Sequence, residues 1–193
     1  STDTWRFAEN QYDVIGADNS NISNFYDGWI DLFGWATSGY SNSMPYQTSD
    51  DISDYGPEDE SIAETNYDWG VFTKISNGGN RVGLWRLLTK YEWEYILNVR
   101  ENASKLFGVG CVNGVNGLIL LPDSCVIPEG VTFRAAVASD SGAELYSIVN
   151  DFDLAEWTLL EEAGAVFFPA AGARLGTRVM YTSVAGYYWT ETI

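Results

Sequence analysis

The chain has 193 residues and a formal charge of −17, with 27 acidic residues, 10 basic residues and no histidine. An acidic surface repels phosphate backbones and anionic lipids, which disfavours nucleic-acid and membrane-surface roles. The lack of histidine excludes Ser-His-Asp triads, Cys-His pairs and histidine-based zinc sites.

The length and the apolar content predict a single domain over 1–193 with a real core, since 46% of the residues are hydrophobic and 15% aromatic. No run approaches the ~20 apolar residues of a membrane span, so no membrane insertion is expected. No basic-then-apolar signal peptide is present, and Ser1 is interpreted as the start of a mature chain or of one trimmed at both ends. The acidic composition suits a secreted protein. The alternative interpretation of the acids is a solvated acidic face.

The first third of the chain predicts one short strand and much irregular backbone. Residues 1–16 are interpreted as a strand entry, because Trp5 and Phe7 alternate with polar residues. Residues 29–35 form a dense apolar patch, for which we expect irregular backbone pinned by large side chains. Residues 37–66 are rich in Gly, Pro, Ser and acids without periodicity, so a long surface loop is expected there.

The acids of that loop are the candidate metal site, because calcium binds about six to eight oxygens from carboxylates and carbonyls. The candidate ligands are Asp50, Asp51, Asp54, Glu58, Asp59 and Glu60. Their spacing differs from Asp-x-Asp-x-Asp-Gly, and the lectin motifs Glu-Pro-Asn and Gln-Pro-Asp are absent. Calcium is therefore one alternative, and no cofactor is the other.

The middle of the chain predicts a helix over 90–99. Thr89 and Glu92 have the spacing of a capping box, in which each side chain bonds the other residue's backbone N–H. The apolar stripe of this helix consists of Trp93, Ile96 and Leu97. Such a stripe predicts core packing for Trp93 rather than ligand stacking.

A hairpin is predicted next, with strands near 109–111 and 118–121. The Asn-Gly pairs at 113–114 and 116–117 tolerate the positive φ of a tight hairpin turn. A short strand is predicted over 131–138. Cys111 and Cys125 flank the hairpin and are the only thiols, so they form either a disulfide or two free buried thiols.

A second helix is predicted over 151–164, with Asp153 at its N-cap, Glu156 three residues on and Gly164 just past its end. Its apolar stripe consists of Leu154, Trp157 and Leu160. After it we expect a central strand at 165–168, a pairing segment at 178–183 and a last strand at 186–190. Tyr187, Tyr188 and Trp189 alternate along that last strand, which predicts one buried face and one exposed face.

Several motifs carry a family resemblance that spans nearly the whole chain in order. Residues 84–95 resemble the helix signature of formylglycine-generating enzymes, the sulfatase-modifying factors, which have a C-type-lectin-like fold. Six further segments resemble surface domains of gut Bacteroidetes and Fibrobacter, of the Fibrobacter major paralogous type: Thr4–Gly16, Gly28–Trp35, Asn66–Gly70, Val115–Asp123, Gly164–Gly172 and Gly186–Trp189. The chain is similar, more distantly, to receptor-binding proteins diversified by retroelements.

The resemblance implies an α+β, C-type-lectin-like fold with two helices packed on short, mostly antiparallel sheets and long irregular loops. It implies a non-catalytic, extracellular or cell-surface domain that binds a glycan or a protein receptor. The ligand-binding residues would be Arg178, Tyr187, Tyr188 and Trp189.

Two alternatives remain from the sequence. One is a formylglycine-generating oxidase, against which stands the absence of any cysteine after Cys125. The other is a subunit of a surface fibre that self-associates through open sheet edges.

Overall fold

The computed structural model describes residues 4–8, 29–30, 35–43, 51, 57, 61–136, 149–175, 178–188 and 190. These residues have mixed α+β structure, as predicted, with short helices and small sheets. The backbone divides into two compact units. The first unit consists of Ser1–Lys90, Ala173–Met180 and Tyr188–Ile193, and the second of Tyr91–Gly172 and Tyr181–Tyr187. A single domain over 1–193 stays a prediction.

The first unit contains a parallel sheet of order β2-β1-β3, so the prediction of mostly antiparallel sheets is wrong for this sheet. Its strands are β1 (Thr4–Phe7), β2 (Trp29–Ile30) and β3 (Lys74–Ile75), and a short helix, α1 (Trp69–Phe72), precedes β3. Trp5 of β1 is paired with Ile75 of β3, and both side chains are buried. The indole of Trp5 packs edge-on against Trp69 of α1, with ring centroids 5.0 Å apart. Burial of these large apolar groups holds the sheet to the helix.

A second apolar cluster of this unit contains Trp35, Ala36 and Ile62, with Tyr67 and Leu87 packed against it. The predicted long loop over 37–66 contributes Ile62 to this cluster. Within the described part of that loop, regular structure is limited to a 3-10 turn at Tyr40–Asn42. The antiparallel pair β8 (Ala173–Leu175) and β9 (Arg178–Met180) also belongs to the first unit.

The predicted helix over 90–99 is present, and its geometry changes halfway. It begins as α2 (Lys90–Glu94) and continues as a π-helical turn over Tyr95–Val99. Trp93 packs edge-on against Phe168, with ring centroids 5.3 Å apart, so this indole packs against the protein as the apolar stripe predicts.

Arg100 ends the π-helical turn and is buried. Its Nε donates to the Ile96 carbonyl at 2.7 Å, and its terminal nitrogens donate to the carbonyls of Leu121 at 2.8 Å and Leu106 at 3.2 Å. Asp123 also accepts from this guanidinium at 3.1 Å. One arginine therefore joins the helix end to two other segments of the second unit.

The predicted hairpin is confirmed. Strands β4 (Phe107–Val112) and β5 (Val115–Leu120) pair antiparallel, and the turn lies at Asn113-Gly114, where φ is 48° and 83°. The second Asn-Gly pair is not a turn, because Gly117 lies within β5 opposite Gly110. The full sheet has the order β6-β4-β5-β7, in which β6 (Asn150–Phe152) is parallel to β4 and β7 (Val166–Pro169) is antiparallel to β5.

This order corrects one prediction. The strand predicted as central, 165–168, is β7 and stands at one end of the described sheet. Two of its apolar residues pack on opposite faces, Phe167 edge-on against Trp157 and Phe168 against Trp93, whereas Val166 is 50% exposed. Burial on two faces removes the apolar-polar alternation whether a strand is central or not.

Helix α3 (Leu154–Glu162) has the predicted signals at both ends. Asp153 and Glu156 form a complete capping box, and Gly164 follows the helix with φ of 91°. The stripe is shorter than predicted, because Trp157 and Leu160 are buried whereas Leu154 is 60% exposed. The two buried side chains join an apolar cluster on one face of the sheet: Val112, Ile119, Leu121, Val131, Phe152, Trp157, Leu160 and Ala165.

The side-chain amide of Asn150, in β6, bonds the backbone of a segment for which a strand was predicted. Its side-chain oxygen accepts from the Arg134 N–H at 2.8 Å, and its Nδ2 donates to the Arg134 carbonyl at 2.8 Å and the Val109 carbonyl at 3.0 Å. The strand predicted over 131–138 is absent from the described part of that range, 131–136. The amide of Asn150 satisfies the backbone groups of Arg134 that a neighbouring strand would otherwise bond.

Candidate functional site

The predicted ligand residues are divided between the two units, and one of the four is not described. Tyr187 is 54% exposed and lies in the second unit, and Tyr188 is 41% exposed and lies in the first. Arg178 begins β9, where its backbone pairs with Leu175. Trp189 lies outside the described residues.

The expected alternation between Tyr187 and Tyr188 is not found, since both are exposed. The predicted last strand over 186–190 is reduced, in its described residues, to isolated bridges at Gly186 and Thr190. Without a continuous ladder, successive side chains are not forced onto opposite faces. Partial burial raises the pKa of the Tyr188 phenol, so this hydroxyl stays protonated and able to donate well above neutral pH.

Tyr187 has an aromatic neighbour that the sequence did not single out. Its ring centroid lies 6.0 Å from that of Tyr181, and the two ring planes are inclined by 39°. Tyr181 is 55% exposed, and Val184 between them is 63% exposed. We call residues 181–187 the tyrosine turn.

The backbone of the tyrosine turn is strained. Tyr181 and Ser183 have φ of 61° and 60°, in the left-handed region that non-glycine residues seldom occupy. The Tyr181 carbonyl accepts from the N–H groups of Val184 at 3.1 Å and Ala185 at 3.0 Å, which closes the turn. A bulky residue in this conformation costs about 1–2 kcal/mol, which the surrounding contacts must offset.

Three hydrogen bonds fasten this strained turn to the rest of the second unit. The Ser183 N–H donates to the Ala170 carbonyl at 2.8 Å, and the Gly172 N–H donates to the Ala185 carbonyl at 2.7 Å. The Asn116 side-chain amide donates to the Ser183 carbonyl at 3.0 Å. The rings of Tyr181 and Tyr187 are thus displayed from a backbone that is held at several points.

The tyrosine turn is uncharged. Its sequence, Tyr-Thr-Ser-Val-Ala-Gly-Tyr, contains aromatic rings, hydroxyls and small apolar groups but no acid or base. Such a surface offers stacking and hydrogen bonding rather than proton transfer. The pairing segment predicted over 178–183 is confirmed for Arg178–Met180, which form β9, whereas 181–183 lie in the tyrosine turn. Thr182, Ser183 and Gly186 are residue types typical of turns and could have indicated this turn.

The candidate calcium ligands are mostly not described. Asp50, Asp54, Glu58, Asp59 and Glu60 lie outside the described residues. Asp51 is described and exposed. Among the residues that the structure covers, no three acidic or cysteine side chains stand close enough to hold a metal ion. Calcium therefore stays a prediction, which the melting temperature with added calcium and with chelator would test.

The cysteines correspond to the free-thiol alternative. Cys111 and Cys125 are both free and half-buried. Cys125 packs against the cluster that contains Val112. Cys111 is the neighbour of Val112 in β4, and its side chain projects from the opposite face of the sheet. A disulfide requires Cβ atoms roughly 4 Å apart, and the sheet between these two faces prevents that approach.

Comparison of the chain with protein-family models, with curated proteins and with solved structures found no match. Across the described residues, none of the helices has the length and apolar content needed to cross a membrane.

Proposed function

We propose that this chain is a non-catalytic recognition domain with a C-type-lectin-like fold, exported or displayed at a cell surface. It binds a glycan or a protein receptor through Tyr181 and Tyr187 on the tyrosine turn. The observation that carries the proposal is the strained turn itself, with two non-glycine residues in the left-handed region and two exposed rings at its ends.

Strain of this kind supports a binding role. A glycine at position 181 or 183 would relieve the φ strain, yet the chain has a tyrosine and a serine there. Strained backbone persists where the surrounding structure overrides it, and such sites are frequently functional. The fastening bonds from Asn116, Gly172 and Ser183 supply that constraint.

The side chains suit recognition rather than catalysis. Tyrosine contributes a large, amphipathic contact area at low conformational cost, since its ring has only two rotatable side-chain bonds. A rigid backbone lowers the entropy lost on binding, which raises the affinity of a small contact surface. The neutral turn also avoids desolvating charge, in a chain whose formal charge is −17.

The test is a binding screen followed by matched tyrosine variants. The chain is applied to an array of immobilised glycans and to a panel of surface proteins, and each ligand found is titrated against Tyr187→Ala and Tyr181→Ala. Tyr91→Ala is the control, because Tyr91 is the more exposed ring at 75% and lies on α2. We expect a loss of affinity of about tenfold or more for the turn variants, as for a central aromatic contact, and none for the control.

Two results would contradict the proposal. Ligands that bind both turn variants as tightly as the unchanged chain would remove the tyrosine turn as the binding surface. An absence of ligands in both screens would count against the recognition role as a whole.

A further inference from the structure

The basic residues of this acidic chain are concentrated on one segment of the first unit. No acid occurs between Trp69 and Tyr91. Four of the ten basic residues lie there: Lys74, Arg81, Arg86 and Lys90. All four are exposed. We call residues 74–90 the basic loop, and its charge is opposite in sign to the −17 of the whole chain.

Two large apolar side chains of the basic loop lie over a turn made of glycines. The indole N–H of Trp85 donates to the Gly78 carbonyl at 2.7 Å. A Cβ atom built at Gly78 would lie 2.7 Å from Nε1 of Trp85, and one built at Gly79 would lie 2.6 Å from Cδ1 of Leu84. The missing side chains of these two glycines therefore let Trp85 and Leu84 rest directly on the turn.

The same segment presents an apolar surface to solvent. Trp85 is 50% exposed, and Val82 and Leu84 are each 44% exposed. Arg81 precedes these residues along the chain and Arg86 follows them, so cations stand on either side of the apolar side chains. Tryptophan and arginine are among the residues most enriched at positions that dominate binding energy in protein interfaces.

The backbone of the basic loop is held before any partner binds. The Gly83 N–H donates to the Gly70 carbonyl of α1 at 2.6 Å, and the Asn80 N–H donates to the Ile75 carbonyl of β3 at 2.8 Å. The loop is thus bonded both to a helix and to a strand of its own unit. A binding surface held in this way loses little conformational entropy when a partner binds.

We propose that the basic loop is a docking surface for an acidic segment of another protein, in which carboxylates are interspersed with apolar side chains. The argument is charge complementarity, since a cationic surface without acids fits a partner of the opposite charge. Arg81 and Arg86 bind the carboxylates, because a guanidinium pairs with a carboxylate through two parallel hydrogen bonds. Val82, Leu84 and Trp85 cover the apolar side chains of the same segment.

The apolar part of this surface favours a peptide over an anionic polysaccharide. A polysaccharide supplies carboxylates or sulfates but no aliphatic side chains to cover Val82 and Leu84. A dense polyanion is also repelled at long range by a chain of charge −17, whereas a short segment with a few carboxylates is repelled less. Contact with the apolar side chains therefore distinguishes the proposed partner from polyanions in general.

Fluorescence anisotropy with labelled synthetic peptides at roughly 150 mM salt tests the proposal. The first peptide combines glutamate with leucine. The second has serine in place of leucine, and the third has glutamine in place of glutamate. The glutamate–leucine peptide should bind about tenfold or more tightly than either of the others, because each of them lacks one of the two kinds of contact. Unlabelled polygalacturonate should compete for the loop only weakly.

Variants of the chain locate the binding surface. Arg81→Glu and Trp85→Ser should each weaken binding of the glutamate–leucine peptide about tenfold or more. Val82→Ser keeps the bond from Trp85 to the glycine turn and should weaken binding about threefold. Circular dichroism of each variant checks that it is folded.

Matched controls lie in the second unit. Lys105→Glu makes a similar reversal of charge at an exposed lysine, and Val126→Ser removes an apolar side chain that is 81% exposed. Both should bind the glutamate–leucine peptide as the unchanged chain does. Tyr187→Ala should do so too, because the tyrosine turn is made of other residues.

Several results would overturn the proposal. One is an absence of binding by the glutamate–leucine peptide. Equal affinity for the glutamate–serine peptide, or strong competition by polygalacturonate, would show a surface that selects negative charge alone. Equal affinities of the Arg81→Glu and Lys105→Glu variants would place the peptide elsewhere on the chain. None of these results bears on the tyrosine turn, whose own ligands are tested by the Tyr181 and Tyr187 variants.

Discussion

Replacing Asn150 with aspartate is a sharp test of how the second unit is held together. Asn150 is 2% exposed, and its amide bonds three backbone groups. The Asn150→Asp change has almost the same shape, keeps the acceptor that faces the Arg134 N–H and removes both donors. It also places a negative charge against the carbonyl oxygens of Val109 and Arg134.

The size of the effect follows from these contacts. Each carbonyl left without its donor costs about 1–3 kcal/mol. The introduced charge is buried and faces two carbonyl dipoles, which adds further cost unless the carboxyl is protonated. We expect a loss of about 4 kcal/mol in the free energy of unfolding at neutral pH, a large part of the total for a protein of this size.

The loss should depend on pH. Burial and the two carbonyls raise the pKa of the introduced carboxyl in the folded state above its unfolded value of about 3.9. A group whose pKa is raised on folding destabilises the protein as pH increases from the unfolded pKa to the folded pKa. At pH ~4 the protonated carboxyl can also donate one of the two lost bonds, so the deficit should shrink to about 2 kcal/mol.

Urea unfolding followed by tryptophan fluorescence at both pH values measures the effect. Asn98→Asp is the matched control, since Asn98 is exposed on the π-helical turn and its change should stay within about 0.5 kcal/mol. Equal stability of the two variants at neutral pH, or a deficit that does not shrink in acid, would refute the role assigned to Asn150.

Four further predictions concern the backbone strain, the buried arginine and, in two cases, the thiols. Tyr181→Gly should leave the free energy of unfolding unchanged or raise it by about 1 kcal/mol, because relief of the positive φ offsets the cost of glycine. A clearly lower free energy of unfolding in urea would show that the backbone at position 181 is not strained. Arg100→Met should lower the free energy of unfolding by about 3 kcal/mol or more, because three carbonyls lose their donor, whereas the exposed Lys105→Met should have little effect. Similar urea midpoints for the two variants would count against the guanidinium contacts. Burial raises the pKa of the Cys125 thiol, so alkylation of Cys125 in a Cys111→Ser variant should be half-maximal at higher pH than in the unfolded chain. In the oxidised, purified protein both cysteines should react with a thiol reagent under denaturing conditions, and the finding of a disulfide would contradict the structure.

Helix α3 and the hairpin were predictable because their signals are local. The capping box joins Asp153 to Glu156, three positions on, and the N–H of the left-handed Gly164 bonds the Glu161 carbonyl, three positions back. The Asn113-Gly114 turn likewise needs only its own backbone angles. The helix over 90–99 was predicted with correct limits, but its change to π geometry at Tyr95 was not.

The candidate site was only partly predictable. Tyr187 was singled out from its place in an aromatic run, and the structure finds it exposed. Tyr181 was assigned to a pairing segment, since its φ of 61° and its approach to Tyr187 have no signature in the sequence. The acids of the candidate calcium site, Asp51 apart, lie outside the described residues.

The sequence by itself determined the acidic character of the chain, the ends of α3 and the hairpin turn, because charge and short-range backbone preferences are properties of neighbouring residues. Only the tertiary structure decided the strand order β6-β4-β5-β7, the use of Asn150 and Arg100 as links between distant segments, and the strained display of Tyr181. Those features depend on which backbone groups remain without partners after the chain has folded. That is set by contacts between residues far apart in sequence.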